Sequence, residues 1–241
     1  MNTAIIVAAG TGQRFSSDEP KQFVPILGKQ LILHTLEIFD ACSAIDHIVL
    51  VLSANGQVRF EEINRGNQFV KLTSIVLGGQ TRAESVRNGL AVIGNSGAGI
   101  VVVHDGARPL VTCDEITRTL RKAEETGAAC LVADVTDTIK EVKGGEIAHT
   151  VDRSVLRRAL TPQAFRYDIL VRAFEGARLD DSVTDECYLV EKLGVLIAAV
   201  AGSGSNIKVT RPEDVLFVES VLRSEQIAER VRNKKEVRTS K

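Results

Sequence analysis

Short runs rich in β-branched and apolar residues alternate along this chain with stretches whose apolar positions recur every three to four residues. The first pattern predicts strands at residues 3–8, 47–52, 73–77, 100–104 and 128–135. Leu33, Leu36 and Phe39, then Val86, Leu90 and Ile93, then Ile116, Leu120 and Ala123 mark the core-facing stripes of three helices between them. Such alternation builds βαβ units, and strands apolar on both faces belong in a parallel sheet covered by helices on each side. Gly127 stands where a glycine ends a helix, and Pro212, before Glu213 and Asp214, stands at the first position of a last helix. The expected fold is α/β: a Rossmann-like, mostly parallel twisted sheet flanked by helices.

After residue 135 the rhythm changes. Residues 138–142, the turn Lys143-Gly144-Gly145 and residues 146–151 read as a polar β-hairpin with too little apolar surface for a core of its own. Residues 136–153 are therefore expected to form a protruding arm that packs on something else. The tail after Glu225 is charged and is expected to fray. The length of 241 residues, 44% of them hydrophobic, is satisfied by a single domain over 1–241.

Charge changes the picture by exclusion. Thirty basic residues against 31 acidic ones give a net charge of -1, so no basic field points to nucleic acid or an anionic membrane, and any anion site has to be local. The apolar run 5–9 lacks the basic flank of a signal peptide and reads as a first strand. The longest later run, 195–201, is far short of the roughly 18 apolar residues that span a bilayer. A soluble, cytoplasmic protein is expected. Cys42, Cys113, Cys130 and Cys187 form no close-spaced pair, which fits buried reduced thiols better than a disulfide framework or a zinc site.

Candidate chemistry clusters where the predicted strands end. The first strand runs into Ala8-Ala9-Gly10-Thr11-Gly12-Gln13-Arg14, and the carboxyl end of such a strand is where α/β sheets bind ligands. Small residues let backbone N–H groups approach a phosphate or a base. A dinucleotide fingerprint is excluded because Phe15 replaces its third glycine, and a Walker A loop because Gln30 follows Gly28-Lys29. Lys21, in the long connection that follows, and Arg14 are candidates for a triphosphate; the alternative is that both are solvated surface charges. A second glycine loop, Gly78-Gly79, precedes Arg82 and Ser85 at a helix start. The fourth strand ends in His104-Asp105, with Arg108 three residues on. Asp105 suits Mg²⁺ shared with substrate phosphates, or an ion pair with Arg108 that holds a loop. His104 reads as a structural histidine.

Together these segments carry a resemblance. A-A-G-T-G-x-R at 8–14, P-K-Q at 20–22, G-G-x-x-R-x-x-S-V at 78–86, V-H-D-G-A-R-P at 103–109, D-T-I-K at 137–140, T-V-D-R at 150–153, L-T-P-Q-x-F at 160–165, T-D-E at 184–186 and N-I-K-V-T-R-P-E-D at 206–214 closely resemble the methylerythritol phosphate cytidylyltransferases. The similarity runs from residue 3 to 221. The N-terminal motifs are shared with many sugar-nucleotide pyrophosphorylases; those at 160–165 and 206–214 are narrower. Gln80 and Leu160 depart from residues that many relatives carry there.

The resemblance implies a fold of the nucleotide-diphospho-sugar transferase type and a division of labour. Ala8, Ala9, Gly10, Gly79, Arg82 and Ser85 would hold the nucleoside of CTP. Arg14, Lys21 and Lys208 would stabilise charge at the α-phosphate, and Asp105 would bind Mg²⁺. Arg108, Thr138, Arg153, Thr161 and Thr184 would grip methylerythritol phosphate, Thr138 and Arg153 reaching a neighbour's site through the arm of a homodimer. The implied reaction is direct attack of the acceptor phosphate on the α-phosphorus of CTP, with pyrophosphate leaving in line. Positioning and cations serve such chemistry, and no nucleophile–base pair is needed. A ribitol-5-phosphate cytidylyltransferase and a non-catalytic nucleotide-binding module are the alternatives. A single-function polypeptide without a fused cyclase is expected.

Overall fold

The computed structural model describes residues 1–10, 15, 20–94, 99–180 and 182–239. β1 (Thr3–Ala8) leads through the small hairpin of β2 (Pro25–Ile26) and β3 (Lys29–Gln30) into α1 (Leu31–Ala41). There follow β4 (His47–Leu52), α2 (Ala54–Ile63), β5 (Leu72–Leu77), α3 (Arg82–Ile93), β6 (Ile100–Asp105), α4 (Cys113–Thr126) and β7 (Ala128–Asp134). β8 (Ile139–Lys143) and β9 (Glu146–Val151) make the hairpin arm; β10 (Arg157–Arg166), α5 (Tyr167–Phe174), α6 (Glu186–Glu191), β11 (Ala198–Ala201) and α7 (Pro212–Thr239) complete the order.

Among the described residues seven strands form one sheet in the order β11-β7-β10-β6-β1-β4-β5. β1 pairs in parallel with β4 and β6, so its carboxyl end sits inside the sheet next to that of β6, the middle strand, and β10 alone among these strands runs antiparallel to its neighbours, β6 and β7. Alternation along β1 sends Ala4, Ile6 and Ala8 into a core shared with Leu36 and Phe39 of α1 and Ile116 and Leu120 of α4. Ile5 faces the other way, toward Val86 and Leu90 of α3 and Leu170 of α5. Helices thus cover both faces of the sheet, which is why these strands are apolar throughout. A third cluster, Phe15, Ile26, Leu31, Leu110 and Val209, seats the start of α7 through Val218.

The expected helix signals hold at two ends: Gly127 closes α4 with φ 90°, and Pro212 opens α7. Several elements were not legible in advance. β10 carries Arg157, Arg158 and Pro162, a composition that reads against a central strand, and its ladder to β7 breaks between Ala159 and Gln163 around the cis Thr161–Pro162 bond. β11 is the end of the 195–201 run. The helix expected to fray after Glu225 continues to Thr239, its sequence being free of Gly and Pro after Pro212. The arm forms its own two-stranded sheet with exposed side chains, as its polar pattern implied.

The cysteines depart from expectation in one respect. All four are free thiols, but Cys113, at the start of α4, is exposed, and its Sγ lies 2.7 Å from that of buried Cys42. No helix among the described residues is long and apolar enough to cross a membrane.

Candidate active site

A cleft of about 730 Å³ opens beyond the carboxyl ends of β1 and β6. Ala8, Ala9, Gly10, Lys21, Gly79, Arg82, Ser85, Asp105 and Lys208, named from the sequence, all line it, together with Gln22, Ser53 and Thr210. Arg14 lies outside the described residues. Each wall has a local cause. Gln22 is buried, and its amide donates to the carbonyls of Ala8 (2.9 Å) and Gly10 (3.3 Å), tying the return segment to the tip of β1. A Cβ on Gly78 would come within 2.3 Å of Ala9 Cβ, so glycine is what lets the β5–α3 loop close against the β1 loop.

That second loop is self-satisfied. The Gly79 N–H donates to Ser85 Oγ (3.1 Å) and the Gln80 N–H to Glu84 (2.7 Å), while Thr81 and Glu84 form a capping box on α3. These N–H groups are spent inside the loop, so the helix start offers less of an anion nest than its glycines suggested. The cationic side chains carry the attraction for phosphate instead.

Those side chains meet at Asp105, buried at the tip of β6. Its Oδ1 accepts from Arg82 Nε at 3.0 Å, and its Oδ2 from Arg108 Nε and Lys208 Nζ, each at 3.1 Å. Burial alone would raise this carboxyl, but Arg82, Lys208 and Arg108 outweigh it and hold the group well below the usual carboxylate range. Lys21 donates from Nζ to the Val209 carbonyl at 2.9 Å on the same wall. The ion pair of Asp105 with Arg108 that the sequence allowed is present, as one of three. Three cations thus pair with Asp105, Lys21 joins them on the cleft wall, and with Glu186 as the one further carboxylate bonded to them positive charge is left in excess for an anion.

A polar layer under the cleft fixes Asp105. Its N–H donates to Thr161 Oγ1 (3.1 Å), and Thr161 Oγ1 lies 3.0 Å from His104 Nδ1. His104 Nε2 faces the Arg108 carbonyl at 3.2 Å, which accepts only, so the proton belongs on Nε2 and Thr161 donates to Nδ1. Burial drives the His104 pKa down to about 3, and the ring stays neutral. The side-chain amide of Asn206, fully buried, donates to the Thr161 carbonyl (3.0 Å), and the Asn206 backbone carbonyl accepts from Arg108 Nη1 (2.9 Å). Thr161 is therefore buried beneath the cleft with its hydroxyl engaged, and Arg108 is held at the rim.

Thr184 is exposed just before α6 and does not line the cleft. Thr138 and Arg153 are exposed on the arm, Arg153 donating to the Thr136 carbonyl beside a separate hollow lined by Asp134, Asp152 and Arg157. The structure does not bring these two to the cleft of their own chain. Gln22, Ser53, Glu186 and Asn206 were missed as site residues. Three of them sit inside motifs quoted above, and the available signal was a polar side chain amid segments that otherwise pack; Ser53 is the N-cap of α2 and gives only a capping signal.

Among the described residues no group of three His, Cys, Asp or Glu side chains gathers as a metal cage. The donor set fits Mg²⁺ in the way that ion is commonly held, by one ionised carboxylate with substrate phosphates supplying the rest.

Glycine-walled strand tips, a buried carboxylate and converging Lys and Arg side chains define a nucleotide-handling α/β enzyme. The sequence profile described as "IspD: 2-C-methyl-D-erythritol 4-phosphate cytidylyltransferase" matches residues 2–224. The chain is 38% identical over 226 residues to the cytidylyltransferase of that name from Alkaliphilus oremlandii, covering 92% of this chain and 95% of that one. It is 40% identical to the one from Syntrophus aciditrophicus, covering 92% and 96%. A crystal structure of a 4-diphosphocytidyl-2C-methyl-D-erythritol synthase superposes with a TM-score of 0.75 at 34% identity, covering 92% and 98%. This chain belongs to the 2-C-methyl-D-erythritol 4-phosphate cytidylyltransferase family and is a nucleotidyltransferase.

Proposed function

We propose that this protein transfers the cytidylyl group of CTP to 2-C-methyl-D-erythritol 4-phosphate, giving 4-diphosphocytidyl-2-C-methyl-D-erythritol and pyrophosphate on the non-mevalonate route to isoprenoid precursors. The observation that carries this reading is the convergence of Lys21, Arg82 and Lys208 on one cleft beside Asp105, which also holds Arg108, in a chain whose relatives bear that name.

An oxygen of the acceptor phosphate forms the new bond to the α-phosphorus as the bond to the bridging oxygen of the β-phosphate breaks, and pyrophosphate departs with the electron pair. Lys21, Lys208 and Arg14 neutralise the charge on the triphosphate, and Ala8, Ala9, Gly10, Gly79 and Ser85 enclose the nucleoside. Before substrate arrives, Asp105 keeps three cations aimed at the cleft at small reorganisation cost. Mg²⁺, when bound to the phosphates with Asp105 as its protein carboxylate, supplies further charge neutralisation. Arg108 and Thr184 serve the acceptor, and Thr161 does so by fixing Asp105 and His104.

The arm acts in a homodimer, where Thr138 and Arg153 reach the partner's cleft. The exposed Val142, Ile147 and Val155 on and beside β8 and β9 supply the apolar surface that such packing needs. Free thiols and a CTP substrate suit a cytoplasmic setting.

The test is donor selectivity. The purified protein is incubated with methylerythritol phosphate, Mg²⁺ and CTP, UTP, ATP or GTP in turn, and the product mass is read. A cytidylyl adduct with CTP in large excess over the others is expected; equal turnover of the four nucleotides contradicts the reading.

A further inference from the structure

Arg82 is held from two sides. Its Nε donates to Asp105 at 3.0 Å, and its Nη1 donates to Glu186 Oε1 at 2.7 Å. Asp105 also receives Arg108 and Lys208, so it is a crowded partner, whereas Glu186 is fully buried, opens α6 and lies outside the cleft lining. The start of α6 is itself pinned to the sheet. Asp185 caps the helix by accepting from the Tyr188 N–H (3.0 Å) and accepts from the Gln163 amide of β10 (2.9 Å), while Gln163 Oε1 accepts from the Cys187 N–H (3.2 Å). Glu186 is thereby a fixed carboxylate on a fixed element.

A planar guanidinium gripped at two edges by two carboxylates cannot swivel, and a charge-assisted bond in a buried setting is strong. An arginine held by Asp105 alone would compete with two other cations and would move whenever Asp105 turned to a ligand. The anchor at Glu186 removes that freedom. Arg108 and Lys208, which lack a second carboxylate in the structure described, are then the groups that can leave Asp105 for phosphate while Arg82 keeps its place in the cleft wall.

We propose that Glu186 is a positioning residue for the nucleotide site: it acts through Arg82, fixing the guanidinium that lines the cleft, and so sets the affinity for CTP. The inference rests on reading this cleft as the CTP site. It assigns a function to the last residue of the Thr184-Asp185-Glu186 segment, whose side chain touches the cleft only through Arg82.

The experiment is a double-mutant cycle on the intact protein with CTP and methylerythritol phosphate, comparing Glu186→Gln, Arg82→Gln and the pair. Glu186→Gln keeps shape but weakens the bond to Arg82, so the KM for CTP is expected to rise roughly tenfold, with kcat and the KM for methylerythritol phosphate changed less than about twofold. In the double variant the CTP KM should match that of Arg82→Gln alone, because the two residues act as one unit. Multiplicative effects in the double variant, or a loss of kcat with unchanged CTP KM in Glu186→Gln, overturn the proposal. Should Glu186→Gln fail to fold, Glu186→Asp draws the carboxylate back by one methylene and carries the same test; a folded Glu186→Asp protein with wild-type CTP KM overturns it. Wild-type protein that neither binds nor turns over CTP sinks the reading of the cleft itself, which is a separate outcome.

Discussion

Asp105 and His104 are adjacent in the chain and buried together, yet they respond to acid for opposite reasons. An unfolded histidine titrates near 6.5, whereas His104 in the fold stays neutral down to about 3. Between those values the unfolded chain takes up a proton that the folded chain refuses, so stability falls as pH drops through that window, by up to about 1.4 kcal/mol per pH unit. Asp105 is held well below the ordinary aspartate value of about 3.9, so its contribution is present above that value and is lost only in stronger acid. Urea midpoints measured from pH 7 to 4 should fall with a steeper slope for wild type than for His104→Gln; equal slopes would show that His104 is not the group. Lys21→Ala should fold normally and lose about a hundredfold to a thousandfold in turnover, the usual cost of one preorganised donor, as measured by pyrophosphate release.

At the scale of elements, legibility followed composition. β1, β4 and β6 are apolar on both faces and alternate with striped helices, so their places were readable from hydrophobic pattern alone. β10 was not readable, because a strand wedged antiparallel between β6 and β7 carries arginines at its ends, a proline at its register break, and Thr161 and Gln163 as buried polar links. Those polar links are part of the site's foundation. The candidate site was legible where Lys21, Asp105 and Lys208 stood in motifs, but the bonds that Gln22 makes to the tip of β1, Glu186 to Arg82 and Asn206 to Thr161 and Arg108 were not, because they join segments that only the fold brings together. Gly78→Ala tests that closeness: with 2.3 Å to Ala9 Cβ the two loops must part, and the KM for CTP should rise at least several-fold while the far-UV spectrum is unchanged. The arm makes its own prediction. Ile147→Glu places a charge on its exposed apolar surface, and on the proposed pairing of two copies through the arm sedimentation should show dimer shifting to monomer; an unchanged sedimentation coefficient would contradict that role of the arm.

The whole molecule is nearly neutral, with a net charge of -1, and it concentrates positive charge where three cationic side chains face one cleft. A global field is therefore unnecessary for binding a triphosphate, and the attraction is delivered by short-range, partly buried groups that salt screens weakly. The sheet places these groups together by ending β1 and β6 side by side, while α6 and the segment before α7 bring Glu186 and Lys208 to the same point from distant parts of the chain. The function of the cleft turns on which second phosphate it accepts. Initial rates of pyrophosphate release with CTP and Mg²⁺, measured side by side with 2-C-methyl-D-erythritol 4-phosphate and ribitol 5-phosphate, test it most directly. A clear preference in kcat/KM for methylerythritol phosphate is the predicted result, and a preference for ribitol phosphate, or CTP binding with no turnover of either, would contradict it.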